Sequence, residues 1–283
     1  AIICTFNILT NGMKTFLTLI LVALFCGSAY AQENYQFQHY GVEHGLSQSS
    51  ISAIYQDSRG FLWVGTNKGL NKFNGRSFEV FMPALDTNTV ALTHQSVYDV
   101  IEDQNGMIWA ATRNGVSKYN PMLGTFTNFE KTGNCEGCLA GQLTKKLIEV
   151  PPYIYVGSSA GLSRIHSQTG EVKGWWYTDG SDGIPSIYSI RDFELLDTGE
   201  FMMATDDGLA YFNPEKETFR TISAKDGLPD AGNGIESIFR DSSGTYWLAM
   251  SSSGVVQLLG DPLQPTFRQL PQQEPNGIPS QTV

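Results

Sequence analysis

Residues 51–81 read ISAIYQDSRGFLWVGTNKGLNKFNGRSFEVF, and this stretch decides the fold. It contains three segments of alternating apolar and polar residues and a short fourth one, with turn residues between them. The alternation predicts a small antiparallel sheet of four strands. A single sheet of this size cannot bury its own apolar face, so it needs neighbouring sheets.

Three turns are predicted between these strands. Residues 57–60, Asp-Ser-Arg-Gly, offer an aspartate that can close an Asx turn and a glycine that can adopt positive φ. Residues 66–69, Thr-Asn-Lys-Gly, suit a three-residue hairpin loop that ends in a glycine bulge. Residues 74–75, Asn-Gly, suit a two-residue hairpin loop.

The same unit recurs along the chain. The turn glycine Gly69 returns at spacings of 46, 46, 47 and 46 residues, as Gly115, Gly161, Gly208 and Gly254. A large side chain in the second strand returns with it, as Trp63, Trp109, Tyr155, Met202 and Trp247. The aspartate of the first turn returns as Asp103, Asp197 and Asp241, whereas the third copy has Pro151-Pro152 there. A fixed period of this length with four strands per period predicts β-propeller blades.

We therefore predict an all-β fold, a propeller of four-stranded antiparallel blades. The predicted complete blades cover residues 44–81, 92–129, 139–176, 184–222 and 228–270. Residues 276–283 repeat the sequence that leads into earlier blades, so we expect a truncated sixth blade to start there. The whole propeller segment is predicted to cover residues 32–283, as a piece of a larger ring.

The beginning of the chain has the pattern of an export signal. The first residue is Ala1 and the first methionine is Met13, so residues 1–12 are interpreted as upstream translation. Residues 13–31 contain a basic residue, a short apolar segment and a small-x-small sequence that ends at Ala31. These features predict a secretory signal peptide and therefore a periplasmic location.

Charge composition limits the class of partner. The chain has 18 basic and 28 acidic residues, a net charge of −10. Such a chain offers no basic patch for a phosphate backbone, so we expect no direct binding to nucleic acid.

The sequence lacks the common motifs for catalysis and metal binding. The sequence has no nucleophile elbow, zinc-protease motif or phosphate-binding loop, and the four histidines lack metal-ligand spacing. We therefore predict no catalytic residue, no metal site and no cofactor. The C-x-x-C pair Cys135 and Cys138 could be a redox pair or half of a zinc site. Because no second pair follows it, we favour a disulfide formed in an oxidising compartment.

The repeated tryptophans and turn aspartates have alternative interpretations. Tryptophans can stack on sugars, but their fixed place in the second strand favours packing between blades. The aspartates could be calcium ligands, but closing a tight turn is a sufficient role.

Ligand-binding candidates are the residues that vary where the framework repeats. The loop that enters the first strand and the loop between the second and third strands are expected on one face of a propeller. Propellers commonly bind ligands on one face, near the central channel. The candidates on that face are His44, Asn67, Lys68, His94, Arg113, Asn114, Trp176, Tyr177, Asp206 and Asp207.

The blade sequence, above all GLSQSSISAIYQDSRGFLWVGTNKGLNKFNG over residues 45–75, resembles the two-component regulator propeller family. The resemblance extends over about residues 35–283. It implies the periplasmic sensor region of a membrane-bound histidine kinase, often a hybrid one linked to carbohydrate utilisation. It also implies a seven-bladed ring, an immunoglobulin-like domain and a transmembrane helix outside this chain.

From this resemblance we expect a sensor region that binds an oligosaccharide or another small molecule, acts as a homodimer and controls an attached kinase. The segment itself is expected to have no enzymatic activity. One alternative is a secreted propeller lyase, in which His44 or His94 would cluster with carboxylates at the propeller axis. Another alternative is a secreted binding or scaffold propeller without a signalling role.

Overall fold

The computed structural model describes residues 37–85, 89–133, 137–176, 189–229 and 234–271. Contacts divide the chain into two units, Ala1–His39 and Tyr40–Val283, and all described strands belong to the second unit. The predicted upstream segment and signal peptide, residues 1–31, lie outside the described residues, as does the predicted start of the next blade, residues 276–283.

The strands form five four-stranded antiparallel sheets, and each strand pairs with the next one in sequence. This arrangement confirms the predicted all-β fold. In the order of the five blades, the strands are β1 Ile51–Gln56, β2 Leu62–Thr66, β3 Gly69–Phe73, β4 Phe78–Phe81; β5 Val97–Glu102, β6 Ile108–Thr112, β7 Gly115–Asn120, β8 Thr125–Phe129; β9 Thr144–Val150, β10 Tyr153–Ser158, β11 Gly161–His166, β12 Val172–Trp176; β13 Ile190–Leu195, β14 Phe201–Thr205, β15 Gly208–Asn213, β16 Thr218–Ile222; β17 Ile235–Arg240, β18 Tyr246–Met250, β19 Gly254–Leu259 and β20 Thr266–Gln269.

Two short 3-10 helices, Val42–His44 and Ala224–Asp226, precede the first and the fifth blade. Among the residues that the structure describes, no helix is both long and apolar enough to cross a lipid bilayer.

The first strands of neighbouring blades lie side by side, since β1 contacts β5, β5 contacts β9, β9 contacts β13, and β13 contacts β17. They are therefore the inner strands of this row of blades. Each has a β-bulge at the same register, where one residue lacks a partner on the second strand. A bulge changes the direction of a side chain. The bulge residues are Ser52, Tyr98, Lys145, Arg191 and Glu236.

Packing between blades buries two of the repeated tryptophans completely. Trp63 of blade 1 lies in a cluster with residues of blade 2, and its ring centroid is 5.7 Å from that of Tyr119. Trp109 of blade 2 lies in a cluster with Leu147 and Ile154 of blade 3. Their interpretation as interblade packing residues is therefore confirmed.

Trp247 of blade 5 has a different environment. It is half-buried and lines a shallow apolar depression of about 370 Å³ together with Phe239, Leu248 and Val255. The side chain of Phe239 is 63% exposed. This tryptophan therefore does not pack between two described blades.

Asp57 closes the predicted turn between β1 and β2. Its Oδ1 accepts hydrogen bonds from the N–H groups of Arg59 and Phe61, at 3.0 and 2.9 Å, and its Oδ2 accepts one from Nε1 of Trp63 at 2.9 Å. Burial by itself would raise the pKa of Asp57, but these hydrogen bonds and the charge of Arg59 hold the pKa below its ordinary value. The same arrangement occurs in the pairs Asp103–Trp109 and Asp241–Trp247.

The predicted turn aspartate of blade 4, Asp197, lies one position later than its counterparts. Leu196 occupies the place of Asp57, and its N–H donates across the turn at 2.9 Å as that of Asp57 does. Asp197 instead accepts hydrogen bonds from Arg240 of blade 5, at 2.7 and 2.9 Å. The prediction of an Asx turn at Asp197 was therefore wrong. The position whose side chain can bond the backbone of the turn is occupied by Leu196.

Two hairpin loops also differ from their predictions. The loop between β2 and β3 has two residues, 67–68, because Gly69 already belongs to the third strand. The N–H of Gly69 donates to the carbonyl of Gln95 in blade 2 at 2.6 Å. The loop between β3 and β4 has four residues, 74–77, because its first side chain, an asparagine, accepts two backbone hydrogen bonds at 2.9 and 2.8 Å.

Candidate functional site

One end of the blades brings together the two kinds of loop that the sequence predicted to share a face. The N–H of Gly115, after the β6–β7 loop, donates to the carbonyl of Gln142 in the segment that enters blade 3, at 2.7 Å. An added Cβ on Gly115, which has φ of 88°, would lie 2.1 Å from the carbonyl oxygen of Phe129. A glycine is therefore required where these loops meet.

A groove lies at this end between blades 2 and 3, with a volume of about 510 Å³. We call it the interblade groove. The residues that line it are His94, Arg113, Asn114, Gln142, Leu143 and Ser159. Blade 2 and its lead-in contribute the first three, and blade 3 and its lead-in contribute the others. Three of the sequence-predicted candidates, His94, Arg113 and Asn114, are thus brought together.

The side chains of the interblade groove are positioned by hydrogen bonds to the loops. Nδ1 of His94 accepts the N–H of Ser96 at 2.9 Å, and Nε2 of Gln142 donates to Oδ1 of Asn114 at 2.6 Å. Burial, and then the positive charge of Arg113, lower the pKa of His94. His94 is therefore neutral at pH 7, with its proton on Nε2, because Nδ1 acts as an acceptor.

A second polar cluster lies at the same end, on blades 3 to 5. Arg191 pairs with Asp206 at 2.6 Å between Nε and Oδ1, and its Nη1 contacts Oε1 of Glu236. Lys145 donates to the hydroxyl of Ser189 at 3.2 Å. Burial, followed by the nearby charge of Arg191, lowers the pKa of Lys145. The cation Arg191 is thus already paired with two carboxylates.

Two further candidates lie at the same end but outside the interblade groove. Asn67 and Lys68 form the β2–β3 loop of blade 1, one blade away from Arg113. The N–H of Lys68 donates to Oγ1 of Thr66 at 3.0 Å. Asp207 follows Asp206 in the β14–β15 loop, and its N–H donates to Oγ1 of the preceding Thr205 at 3.2 Å.

His44 is not at the predicted face. Its ring is 5.6 Å from that of Tyr40, which packs on Phe73 and Phe78 at the opposite end of the blade 1 sheet. The chain reaches the predicted face only a few residues later, where the hydroxyl of Ser47 bonds that of Thr66 at 2.9 Å. The expectation that His44 lies on the same face as Asn67 was therefore wrong, because the lead-in runs along the blade before it enters β1.

The remaining predicted residues lie away from the interblade groove or outside the described residues. Trp176 ends the outermost strand of blade 3, and Tyr177 lies outside the described part of the chain. Cys138 is buried and disulfide-bonded, which agrees with the disulfide that we favoured. Its predicted partner, Cys135, lies outside the described residues.

Sequence reasoning missed Gln142 and Ser159. Both have a signal in the repeats, because Gln142 corresponds to Gln95 and Ser159 corresponds to Arg113 when the blades are aligned by their strands. It also missed the bulge residues Lys145, Arg191 and Glu236, whose signal is the interrupted alternation at the start of each first strand.

The lyase alternative requires a histidine that clusters with carboxylates. His94 lies in a groove whose described lining has no carboxylate, and His44 has Glu43 beside it at 3.2 Å at the other end of the blade. Within the described ranges, no group of three or more histidine, cysteine or acidic side chains is arranged to hold a metal ion.

Comparison with protein families identifies the repeat. The family model described as the two-component regulator propeller matches residues 45–68 and 91–114. These two segments are therefore similar to two-component regulator propeller repeats. Each extends from the lead-in of a blade to the loop between its second and third strands, so the second match includes His94, Arg113 and Asn114.

A curated relative matches part of the chain. Histidine kinase P4 of Formosa agariphila is 45% identical over 65 residues, which are 23% of this chain and 5% of the kinase. The matched segment is thus a small part of a much longer protein.

Solved structures share the propeller fold. One is the extracellular domain of a B. thetaiotaomicron protein named as a hybrid two component system, which is 21% identical with a TM-score of 0.52. The aligned region includes 87% of this chain and 38% of that domain. A second extracellular domain from that organism, named as a one component system, is 16% identical with a TM-score of 0.66 and has 34% of its length covered. Virginiamycin B lyase of Staphylococcus aureus is 9% identical with a TM-score of 0.62, over 86% of this chain and 76% of the lyase. These likenesses show the fold alone.

Proposed function

We propose that this chain is the ligand-sensing propeller region of a two-component sensor. In this proposal it binds an extracellular carbohydrate or a similar small molecule and controls a histidine kinase in the same, longer protein. The observation that supports it most directly is the pair of regulator propeller repeats, together with a histidine kinase that carries a similar segment. The extracellular domains with the same fold support a periplasmic location.

The interblade groove is the ligand site in this proposal. Its volume of about 510 Å³ is in the range of small-molecule sites, and its lining is mostly polar, as recognition of sugar hydroxyl groups requires. Two blades contribute to it, so a ligand that contacts both has a different affinity for different relative positions of the blades. A ligand shifts a conformational equilibrium only through such a difference in affinity. A homodimer in the membrane would carry this change to the kinase.

The gene itself tests the signalling part of the proposal. Sequencing beyond Val283 is expected to reveal further blades, an immunoglobulin-like domain, an apolar helix and a histidine kinase region in the same frame. A stop codon shortly after a last blade would contradict the sensor function and favour a secreted binding or scaffold propeller.

Export and ligand control need separate measurements. Residues 13–40 fused to a phosphatase that is active only in the periplasm are expected to give activity, and a deletion of residues 13–31 serves as the control. For the full-length protein in membrane vesicles, the bound sugar is expected to change the rate of kinase autophosphorylation. An unchanged rate at saturating ligand would contradict control of the kinase.

A further inference from the structure

The interblade groove has an unusual balance of charge for this protein. The chain carries a net charge of −10, yet none of the described side chains that line the groove is acidic. Arg113 is exposed there, and among the described residues no carboxylate lies within ion-pair distance of its guanidinium group. Arg191, at the same end of the blades, is instead paired with Asp206 and Glu236.

The neutral groups of the interblade groove add hydrogen-bond donors. The imidazole of His94 has its proton on Nε2, because Nδ1 accepts the N–H of Ser96. The amide oxygen of Asn114 is occupied by Gln142, so the NH₂ group of Asn114 remains as a donor. The hydroxyl of Ser159 can donate as well.

Three backbone carbonyls near the groove already accept a hydrogen bond. The carbonyl of Ser96 accepts the N–H of Arg113 at 3.1 Å, and that of Leu143 accepts the N–H of Ser159 at 2.9 Å. The carbonyl of Gln142 accepts the N–H of Gly115 at 2.7 Å. The groove therefore offers the side-chain donors of Arg113, His94, Asn114 and Ser159 around one positive charge, beside the amide oxygen of Gln142 as an acceptor.

We propose that the interblade groove binds an acidic sugar, with Arg113 paired to its carboxylate or sulfate group. This inference rests on the proposed function and specifies the chemical class of its ligand. A guanidinium group binds an oxyanion through two parallel hydrogen bonds, and the donors of His94, Asn114 and Ser159 suit the remaining oxygens. A neutral sugar offers no negative charge to pair with Arg113.

The test is a calorimetric titration of the purified chain with four probes. These are a galacturonate trisaccharide, a neutral galactose trisaccharide, a sulfated galactose and sodium acetate. The galacturonate trisaccharide or the sulfated galactose is expected to bind at least tenfold more tightly than the neutral trisaccharide. The stronger of the two identifies the oxyanion as a carboxylate or a sulfate. Equal affinity for neutral and acidic sugars would overturn the inference and leave the proposed function in place.

Two charge variants locate the site. Arg113→Gln is expected to weaken binding of the acidic sugar by roughly tenfold to a hundredfold, since hydrogen bonds between charged groups have this strength. Arg76→Gln is the matched control, because it removes the same charge from the exposed loop at the other end of blade 1. An equal loss in both variants would overturn the proposal, since it would show a general charge effect.

The remaining outcomes separate the inference from the proposed function. If acetate binds as tightly as the acidic sugars and Arg113→Gln abolishes both, the groove is an anion site and the carbohydrate-sensing function is contradicted. If no probe binds at millimolar concentration, the acidic-sugar inference is overturned, and other ligand classes remain to be screened for the sensor.

Discussion

Blades 2 and 4 have the same turn between their first two strands but different side chains in it. In blade 2 the N–H of Asp103 donates across the turn at 2.9 Å, and in blade 4 the N–H of Leu196 does so at the same distance. Asp103 accepts the indole N–H of Trp109 at 2.8 Å. Leu196 instead lies in one apolar cluster with Met202, which occupies the tryptophan position.

This difference shows that the backbone alone defines the turn, through its cross-turn hydrogen bond and its glycine. The polar pair and the apolar pair are two ways to fill the same space. Exchanging both partners of a buried hydrogen bond for apolar groups can be nearly neutral, whereas exchanging one leaves the other unsatisfied. The aspartates of this turn therefore have a structural role, which agrees with the interpretation favoured from the sequence.

Removal of the tryptophan of blade 2 is expected to cause the largest loss of stability. Trp109→Ala should lower the free energy of unfolding by about 3 to 5 kcal/mol, because it leaves a cavity between blades 2 and 3. Urea denaturation measures this loss. Trp247→Ala is the control and should lose clearly less, because Trp247 is only half-buried. Equal losses would show that interblade burial does not account for the role of Trp109.

Exchange of the aspartate alone is expected to lower the free energy of unfolding by less than the cavity left by Trp109→Ala. Asp103→Leu should lower the free energy of unfolding by about 1 to 3 kcal/mol, because the indole N–H of Trp109 and two backbone N–H groups lose their acceptor. The double variant Asp103→Leu/Trp109→Met imitates blade 4. In a double-mutant cycle, it should lose less stability than the sum of the losses in Asp103→Leu and Trp109→Met. Strict additivity would contradict the interpretation of the residues as a pair.

A smaller effect is expected from protonation of the equivalent aspartate in blade 5. Hydrogen bonds from the hydroxyl of Ser243 and the indole of Trp247 lower the pKa of Asp241 to about 2 from an ordinary value of 3.8. Because the pKa is depressed in the folded state, Asp241 stabilises the fold above pH 3.8 and loses this contribution as the pH falls towards 2. The melting temperature of Asp241→Asn should therefore approach that of the original chain between pH 4 and 2. A constant difference across this range would contradict the shift.

Loss of the contact between Glu149 and the turn of the neighbouring blade is expected to cause the smallest loss of stability. Glu149 of blade 3 accepts the N–H of Gln104 in blade 2 with both oxygens, each at 3.0 Å. Glu149→Leu should lower the free energy of unfolding by about 0.5 kcal/mol, because the contact is exposed. The equivalent residue of blade 4 is Leu195, and the turn that it faces contains Pro151-Pro152, which have no N–H group.

The reverse exchange provides the control for that contact. Leu195→Glu should bring no gain in stability, as measured by the same denaturation, since proline cannot donate to the new carboxylate. A gain of similar size to the loss in Glu149→Leu would contradict the role of the backbone donor.

Local chemistry accounts for the features that were predictable. The Asx turn at Asp57 was correct because the side chain bonds to backbone groups only two and four residues away. The loop lengths after Thr66 and Phe73 were wrong because the ends of those strands depend on pairing. Gly69, for example, belongs to its strand because it pairs with Thr66, and its N–H bonds the carbonyl of Gln95 in the next blade.

The strand pattern, the turn residues and the glycine spacing act within one repeat, so four-stranded blades could be predicted from the sequence alone. The sequence also indicated the loops that could form a site. The packing of the blades places Arg113 in one groove with Gln142 and Ser159. It also pairs Arg191 with carboxylates, and the path of the lead-in leaves His44 at the other end of its blade. The physical reason is that these neighbours belong to different repeats, and they meet only when the blades pack side by side and bury their tryptophans.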